Sequence, residues 1–253
     1  MFLKKLLTNE LYMLMNKIAI YYIATNKYIL FFEEFLNGLS FFFPNTPKKV
    51  ILITDYNNID FSLRGKDNIE IKQEHIDHYY WPIPTLFKMF YIEKFFADDC
   101  DYHFYFNANM KLVREPKFDE NFDICFMKHY LSDSLPLYII NNGNNNNCVV
   151  PPSWAKCYIS KSEIPNHAKY CQAGFFGGST NGMKHLISDI NEMIKDDLRH
   201  NIIPIWHDET YLNKYLLKYY WNNNTIGNVN IINIRDYAVF LDKKDYFDKF
   251  NLT

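Results

Sequence analysis

Compact apolar runs ending in polar residues alternate with stretches of helical periodicity through the first half of this chain, and few architectures accept that pattern. KIAIYYIAT (17–25) has the length and composition of a buried strand. Phe31, Phe32, Phe35, Leu36 and Leu39 follow at helical spacing. KKVILITDY (48–56) is a second strand and the more polar IEIKQEHI (69–76) a third. TLFKMFYIEKFFADD (85–99) places Leu86, Met89, Phe90 and Phe96 on one helical face, and HFYFNAN (103–109) is the next strand. Strands separated by helices pair side by side in one direction, so the expected fold class is α/β, with a mixed, mainly parallel central sheet. Ligands of such sheets bind beyond the carboxyl ends of the strands, where Asn107 and Asn109 would sit.

The second half is less regular. DICFMKHY (123–130) reads as a strand, whereas NNGNNNNC (141–148) has too little apolar surface to order itself and reads as a loop or disordered insert. A long amphipathic helix then presents Leu186, Ile187, Ile190, Met193, Ile194 and Leu198. With 253 residues, 48% of them hydrophobic, both halves can share one core. A net charge of −2 argues against a nucleic-acid partner. Five cysteines (Cys100, Cys125, Cys148, Cys157, Cys171) form no CxxC, which fits a reduced, cytoplasmic setting. The opening MFLKKLLTNELYMLMN has no cleavage site, and no apolar run spans a bilayer. Leu3, Leu6, Leu7 and Leu11 would make either a weak amphipathic anchor at the inner membrane face or a locally packed helix.

The stretch richest in chemistry is IIPIWHDETYLNKYLLKYY (202–220). Leu212, Tyr215, Leu216 and Tyr219 predict a helix from about Thr210, with Asp208 and Glu209 at or just before its N-terminus. Unpaired N–H groups and the helix dipole there favour an ionised carboxylate, suited to a nucleophile or to stabilising positive charge on a sugar ring. The plainer alternative makes Asp208 an N-cap and Glu209 a surface charge. Trp206 and His207 immediately before them favour sugar binding. In YCQAGFFGGST (170–180), Gly174, Gly177 and Gly178 permit close approach of backbone or ligand, as a tight turn or a binding wall. The HxxH of His75 and His78 lacks a third metal ligand, and Asp98, Asp99 and Asp101 read as a solvated face.

FNAN (106–109), QAGFFGGS (172–179) and IIPIWHDETYLNKYL (202–216), in that order, resemble glycosyltransferase family 6, which includes the histo-blood-group A and B transferases and the α-1,3-galactosyltransferases. IATNKY (23–28) resembles the family's uracil-holding segment. The resemblance implies a single GT-A domain over 17–253 after an N-terminal extension (1–16), with a nucleotide-binding half (17–110) and an acceptor and catalytic half (111–253). It implies retaining α-1,3 transfer of GalNAc or galactose from a UDP donor to an oligosaccharide acceptor. The donor set would be Ala24, Thr25, Tyr28, Lys88, Asn107, Ala108, Asn109, Gln172, Ala173, Gly174, His207 and Lys243. Asp208 would bind donor hydroxyls, Glu209 would face the reacting carbon, and Trp206 and Trp81 would meet the acceptor. Glycine at 174 goes with GalNAc in such enzymes, because an acetamido group needs the volume a methyl would fill.

Mammalian relatives carry Asp-x-Asp and manganese where this chain has Asn107 and Asn109, as in metal-independent bacterial relatives; no cofactor is therefore expected. Two unit charges about 4 Å apart interact by roughly 4 kcal/mol at an effective dielectric of about 20. Removing two carboxylates together with the cation thus leaves the balance beside a diphosphate nearly unchanged. Lys88, Arg235, Lys243 and Lys244 are candidate cations for the leaving UDP. Lys88 replaces an arginine of relatives, and PPSWAKCYISKSE replaces their basic and aromatic segment, so a fucosylated galactoside acceptor is only an analogy. A hydrolase, a transferase with another acceptor and an inactive sugar-binding module are the alternatives. The sequence carries no signal for an oligomeric state.

Overall fold

A computed structural model of the chain describes residues 17–57, 59, 68–118, 122–130, 132–133, 151–222 and 228–242. The N-terminal extension, the asparagine-rich run with Cys148, and Lys243 and Lys244 lie outside them. Strand β1 (Ile18–Ile23) leads through 3-10 turns into α1 (Phe32–Gly38), then β2 (Lys48–Thr54) and β3 (Ile69–His75). Two helices, α2 (Ile83–Leu86) and α3 (Lys88–Lys94), precede β4 (Tyr102–Phe106), β5 (Met110–Leu112) and β6 (Ile124–Lys128). Then come β7 (Cys171–Ser179), α4 (Thr180–Arg199), α5 (Asp208–Leu216), β8 (Val229–Ile232) and β9 (Ala238–Phe240).

Seven strands form one sheet in the order β3-β2-β1-β4-β7-β6-β8, and β5 pairs with β9 in a small second sheet. Only β7 runs against the others, antiparallel to both β4 and β6. The predicted α/β class and mainly parallel sheet are what the structure contains. Alternation along β1 splits the core: Ala19, Tyr21 and Ile23 pack on the face covered by α3, α4 and α5. Ile18, Ile20 and Tyr22 pack on the other, under α1 and the β5–β9 pair. There Phe42 meets Phe104 and Phe106 edge-on at centroid distances of 4.8 and 5.1 Å.

Two expectations change in detail. The segment 85–99 is two helices interrupted at Phe87, which takes a bridge conformation (φ −91°, ψ 11°), and helix ends at Lys94. Pro82 is the N-cap of α2 and Pro84 lies in its first turn, where an N–H would have no partner within the helix, so both suit the start of a helix there. The second change concerns AGFFGGST, which is no turn: it runs mid-sheet in β7. A Cβ on Gly177 would stand 2.2 Å from the Phe104 ring, and one on Gly178 would stand 2.1 Å from the Asp123 carbonyl oxygen. Those two glycines serve strand packing, and only the first residues of β7 reach a cavity.

The acidic cluster is a solvated face, as expected: Asp99 pairs with Lys17 at 2.8 Å and Lys49 at 3.0 Å, and Asp98 with Lys184 at 2.6 Å. His78 pairs with Asp55, and no trio of His, Cys, Asp or Glu is gathered among the described residues. Cys100, Cys125, Cys157 and Cys171 are buried free thiols. No helix among the described residues is long and apolar enough to cross a membrane.

Gly178→Ala is expected to lower the unfolding free energy by about 3 kcal/mol, because the obstacle is main chain and cannot swing aside. Urea denaturation measures the loss directly. Gly174→Ala, whose nearest neighbour is the end of the Met127 side chain at 2.9 Å, should cost much less.

Candidate active site

The chain leaves β1 toward β2 on one side, while β4 pairs with β1 on the other, so a crevice opens beyond their carboxyl ends. Because β7 is reversed, its beginning meets that same edge: the Asn107 N–H donates to the Gly174 carbonyl at 2.8 Å. A cavity of about 540 Å³ lies there, a size that suits a small ligand. Thr25, Tyr28, Lys88, Asn107, Ala108, Gln172, Ala173, Gly174, Asp208, Glu209 and Trp81 all line it. Ala24 lies behind the wall, fully buried, with its N–H on the Ile53 carbonyl.

Helix α5 brings the carboxylates in. It starts at Asp208, two residues earlier than the periodicity predicts, with His207 as N-cap and no side-chain cap bond. Asp208 is therefore no cap. Its Oδ2 accepts from Lys88 Nζ at 2.6 Å, and both side chains are almost wholly buried. Lys88 Nζ also donates to the Ala173 carbonyl at 2.8 Å and sits 4.3 Å from the Tyr105 ring centroid. Burial raises the Asp208 pKa, only partly offset by Lys88, while burial's pull on Lys88 is outweighed by Asp208 and Tyr105, so the ammonium stays protonated.

Glu209 differs from its expected state. Its Oε2 accepts from the Ala173 N–H at 3.1 Å. Burial pushes its pKa up to about 7, against the pull of the Tyr170 hydroxyl and the Ala173 N–H. Desolvation thus outweighs the helix N-terminus, and the carboxyl titrates near neutrality instead of staying fully ionised.

A strained turn aims this pair. His207 has φ 46° and ψ −120°, and the Glu209 N–H donates to the Trp206 carbonyl at 2.9 Å. That is the geometry of a type II′ turn, with histidine where glycine is usual. The His207 ring meets Trp81 edge-on at 4.8 Å, and burial lowers its pKa despite Asp208. Trp81 is 73% exposed and Trp206 38%; Trp206 and His207 border the carboxylates without lining the cavity.

Asn107 Nδ2 donates to Asn109 Oδ1 at 2.8 Å, and Asn109 Nδ2 donates to the Leu241 carbonyl at 3.2 Å. Asn109 therefore ties the strand end to the C-terminal segment and stays outside the cavity lining. Both amides are neutral, and both oxygens accept hydrogen bonds, Asn109 Oδ1 from Asn107 and Asn107 Oδ1 from the Tyr105 hydroxyl at 3.5 Å, so neither offers the charged oxygen of a carboxylate. Arg235 lies over the rings of Tyr130 and Phe240, and Phe240 lines the cavity. Lining residues not singled out by sequence include Asn26, Tyr105 and Met127; Tyr105 lay in plain view one residue before the FNAN motif.

The profile of glycosyltransferase family 6 matches residues 1–225. The O-antigen biosynthesis glycosyltransferase WbnI of Escherichia coli is 33% identical over 215 residues, covering 81% of this chain and 82% of that protein. Histo-blood group ABO system transferases 1 and 2 of Rattus norvegicus are 35% and 34% identical over 68 residues, covering 23% of this chain and 20% of each of theirs.

The raised Glu209 pKa has a stability consequence with a definite sign. Between the ordinary value near 4.5 and about 7 the folded protein keeps a proton that the unfolded chain has lost, so stability falls as pH rises through that window. Glu209→Gln is expected to match the parent near pH 4.5 and to exceed it at pH 8 by on the order of 3 kcal/mol. Melting temperatures of the two proteins across pH 4.5–8 check this.

Proposed function

The chain belongs to glycosyltransferase family 6, and from that premise we propose that it moves N-acetylgalactosamine, with galactose as the alternative sugar, from a UDP donor to the 3-hydroxyl of a galactoside. The linkage is α-1,3, the configuration is retained, and no metal takes part. One observation carries this reading: the buried Glu209 carboxyl, pushed up by desolvation, is held by the Ala173 N–H of β7 beside a buried Lys88–Asp208 pair, in a cavity at the carboxyl ends of β1 and β4.

In this reading the nucleoside rests on Thr25, Tyr28 and Ala108, the diphosphate passes Asn107, and the sugar lies against Gln172, Ala173 and Gly174. Gln172 has a buried Oε1 without a hydrogen-bond partner, an acceptor suited to a donor-sugar N–H or hydroxyl. As the bond from C1 to the phosphate oxygen breaks, its electron pair leaves with UDP and positive charge grows on the ring. Ionised Glu209 stabilises that charge, as an ester or as an ion pair. The acceptor O3 bonds to C1 on the face UDP left, and its proton passes to a departing phosphate oxygen. Trp81 and Trp206 offer aromatic faces to the acceptor.

Lys88 presents little net charge to the leaving group, since Asp208 matches it. Arg235, one ring away from the cavity, and Lys243 and Lys244 are the cations assigned to the diphosphate. The neutral Asn107–Asn109 pair supports a leaving group held without a metal bridge.

Product formation from 2′-fucosyllactose with UDP-GalNAc and with UDP-galactose tests the reading. UDP-GalNAc is expected to be the better donor, and Glu209→Gln should lower kcat at least about 100-fold. A Glu209→Gln enzyme retaining a tenth of the rate would overturn the assignment. Gly174→Ala adds a methyl to the sugar wall, and the ratio of kcat/KM values should move toward UDP-galactose by about tenfold or more.

A further inference from the structure

Asn213 lies on α5 among Leu212, Tyr215 and Leu216, at 0% exposure, and does not line the cavity. Its amide is spent on main chain. Oδ1 accepts from the Cys171 N–H at 2.9 Å, while Nδ2 donates to the Cys171 carbonyl and to the Glu209 carbonyl, both at 2.8 Å. Cys171 opens β7 and pairs on its other side with Lys128 of β6. The carboxamide thus occupies the place that another strand would take along β7. A helix side chain imitates a peptide group.

This stitch falls where the reactive groups hang. Two residues along β7, the Ala173 N–H holds Glu209 Oε2 and the Ala173 carbonyl holds Lys88 Nζ. One turn back along α5 is Glu209, whose own carbonyl receives Asn213 Nδ2. The Ala173–Glu209 contact joins side chain to main chain, so its length depends on how far the start of β7 lies from the first turn of α5. Asn213 bonds to both ends of that distance. A leucine of similar size would fill the space but leave the Cys171 N–H and carbonyl buried without partners, at about 1–3 kcal/mol each.

We propose that Asn213 is the positioning residue for Glu209: its amide fixes the start of β7 to the first turn of α5 and so sets where the carboxylate stands against the reacting sugar. The inference rests on the role given to Glu209 above. Displacements on the order of 1 Å at a reacting group cost about 100-fold in rate.

The test is a double-mutant cycle on kcat with Glu209→Gln, Asn213→Asp and the combination, using UDP-GalNAc and 2′-fucosyllactose at saturation. Asn213→Asp keeps the shape and the acceptor for Cys171 but loses both donors. It is expected to lower kcat about 100-fold per folded molecule, with KM for UDP-GalNAc within about twofold. In the Glu209→Gln background the same change should have little further effect, because the group it positions is already disabled. A purely structural role would multiply the two losses, or leave kcat per folded molecule unchanged, and either result overturns the proposal. If Asn213→Asp does not fold, Asn213→Ser, which buries no charge, carries the same cycle. A Glu209→Gln enzyme that stays active would instead overturn the reading of Glu209 itself.

Discussion

A protonated lysine and a carboxylate, both taken almost wholly out of water, hold the candidate active site together. Lys88 comes from the first turn of α3, Asp208 from the first turn of α5, and the lysine's second bond is to Ala173 on β7. Three elements distant in sequence are joined at one nitrogen. Leaving either charge without its partner would cost about 3–5 kcal/mol, so the pair fixes these elements together or not at all. The reversal of β7 makes this possible, since only an antiparallel strand begins at the edge where β1 and β4 end. Beside the pair, burial pushes the Glu209 carboxyl up to about 7.

Function and stability pull against each other around that glutamate. Burial that raises its pKa makes ionisation costly, and the turn that aims it holds His207 at positive φ, a conformation costing about 1–3 kcal/mol for a residue with a side chain. Asn213 and the Lys88–Asp208 pair are the compensating contacts, each joining β7 to α5 within two residues of the strained segment. The edge-on contact between Trp81 and His207 links the same turn to the exposed aromatic rim.

Much of this was legible in the sequence, and the misses have physical causes. Apolar runs reported β1, β2, β4 and β6 because those strands are buried on both faces. FNAN reported a strand end at the ligand edge for the same reason: polarity returns where the sheet stops. Gly177 and Gly178 misled because their cause lies in Phe104 and Asp123, neighbours in the sheet but not in the chain. The ionisation of Glu209 was misjudged because a helix N-terminus is visible locally, whereas burial by β7 and Tyr170 is not. Asn213 carried a signal, an amide on the apolar face with Leu212 and Tyr215, but its partners emerge only once β7 is placed beside α5.

Transfer without a divalent cation, at a site carrying Asn107 and Asn109, is the central proposal. Its most direct test is the initial rate of sugar transfer from UDP-GalNAc in excess EDTA, followed by stepwise addition of manganese beyond the chelator. Metal-free transfer predicts full activity in EDTA and a flat response to manganese. Activity that appears only once free manganese is present would contradict it.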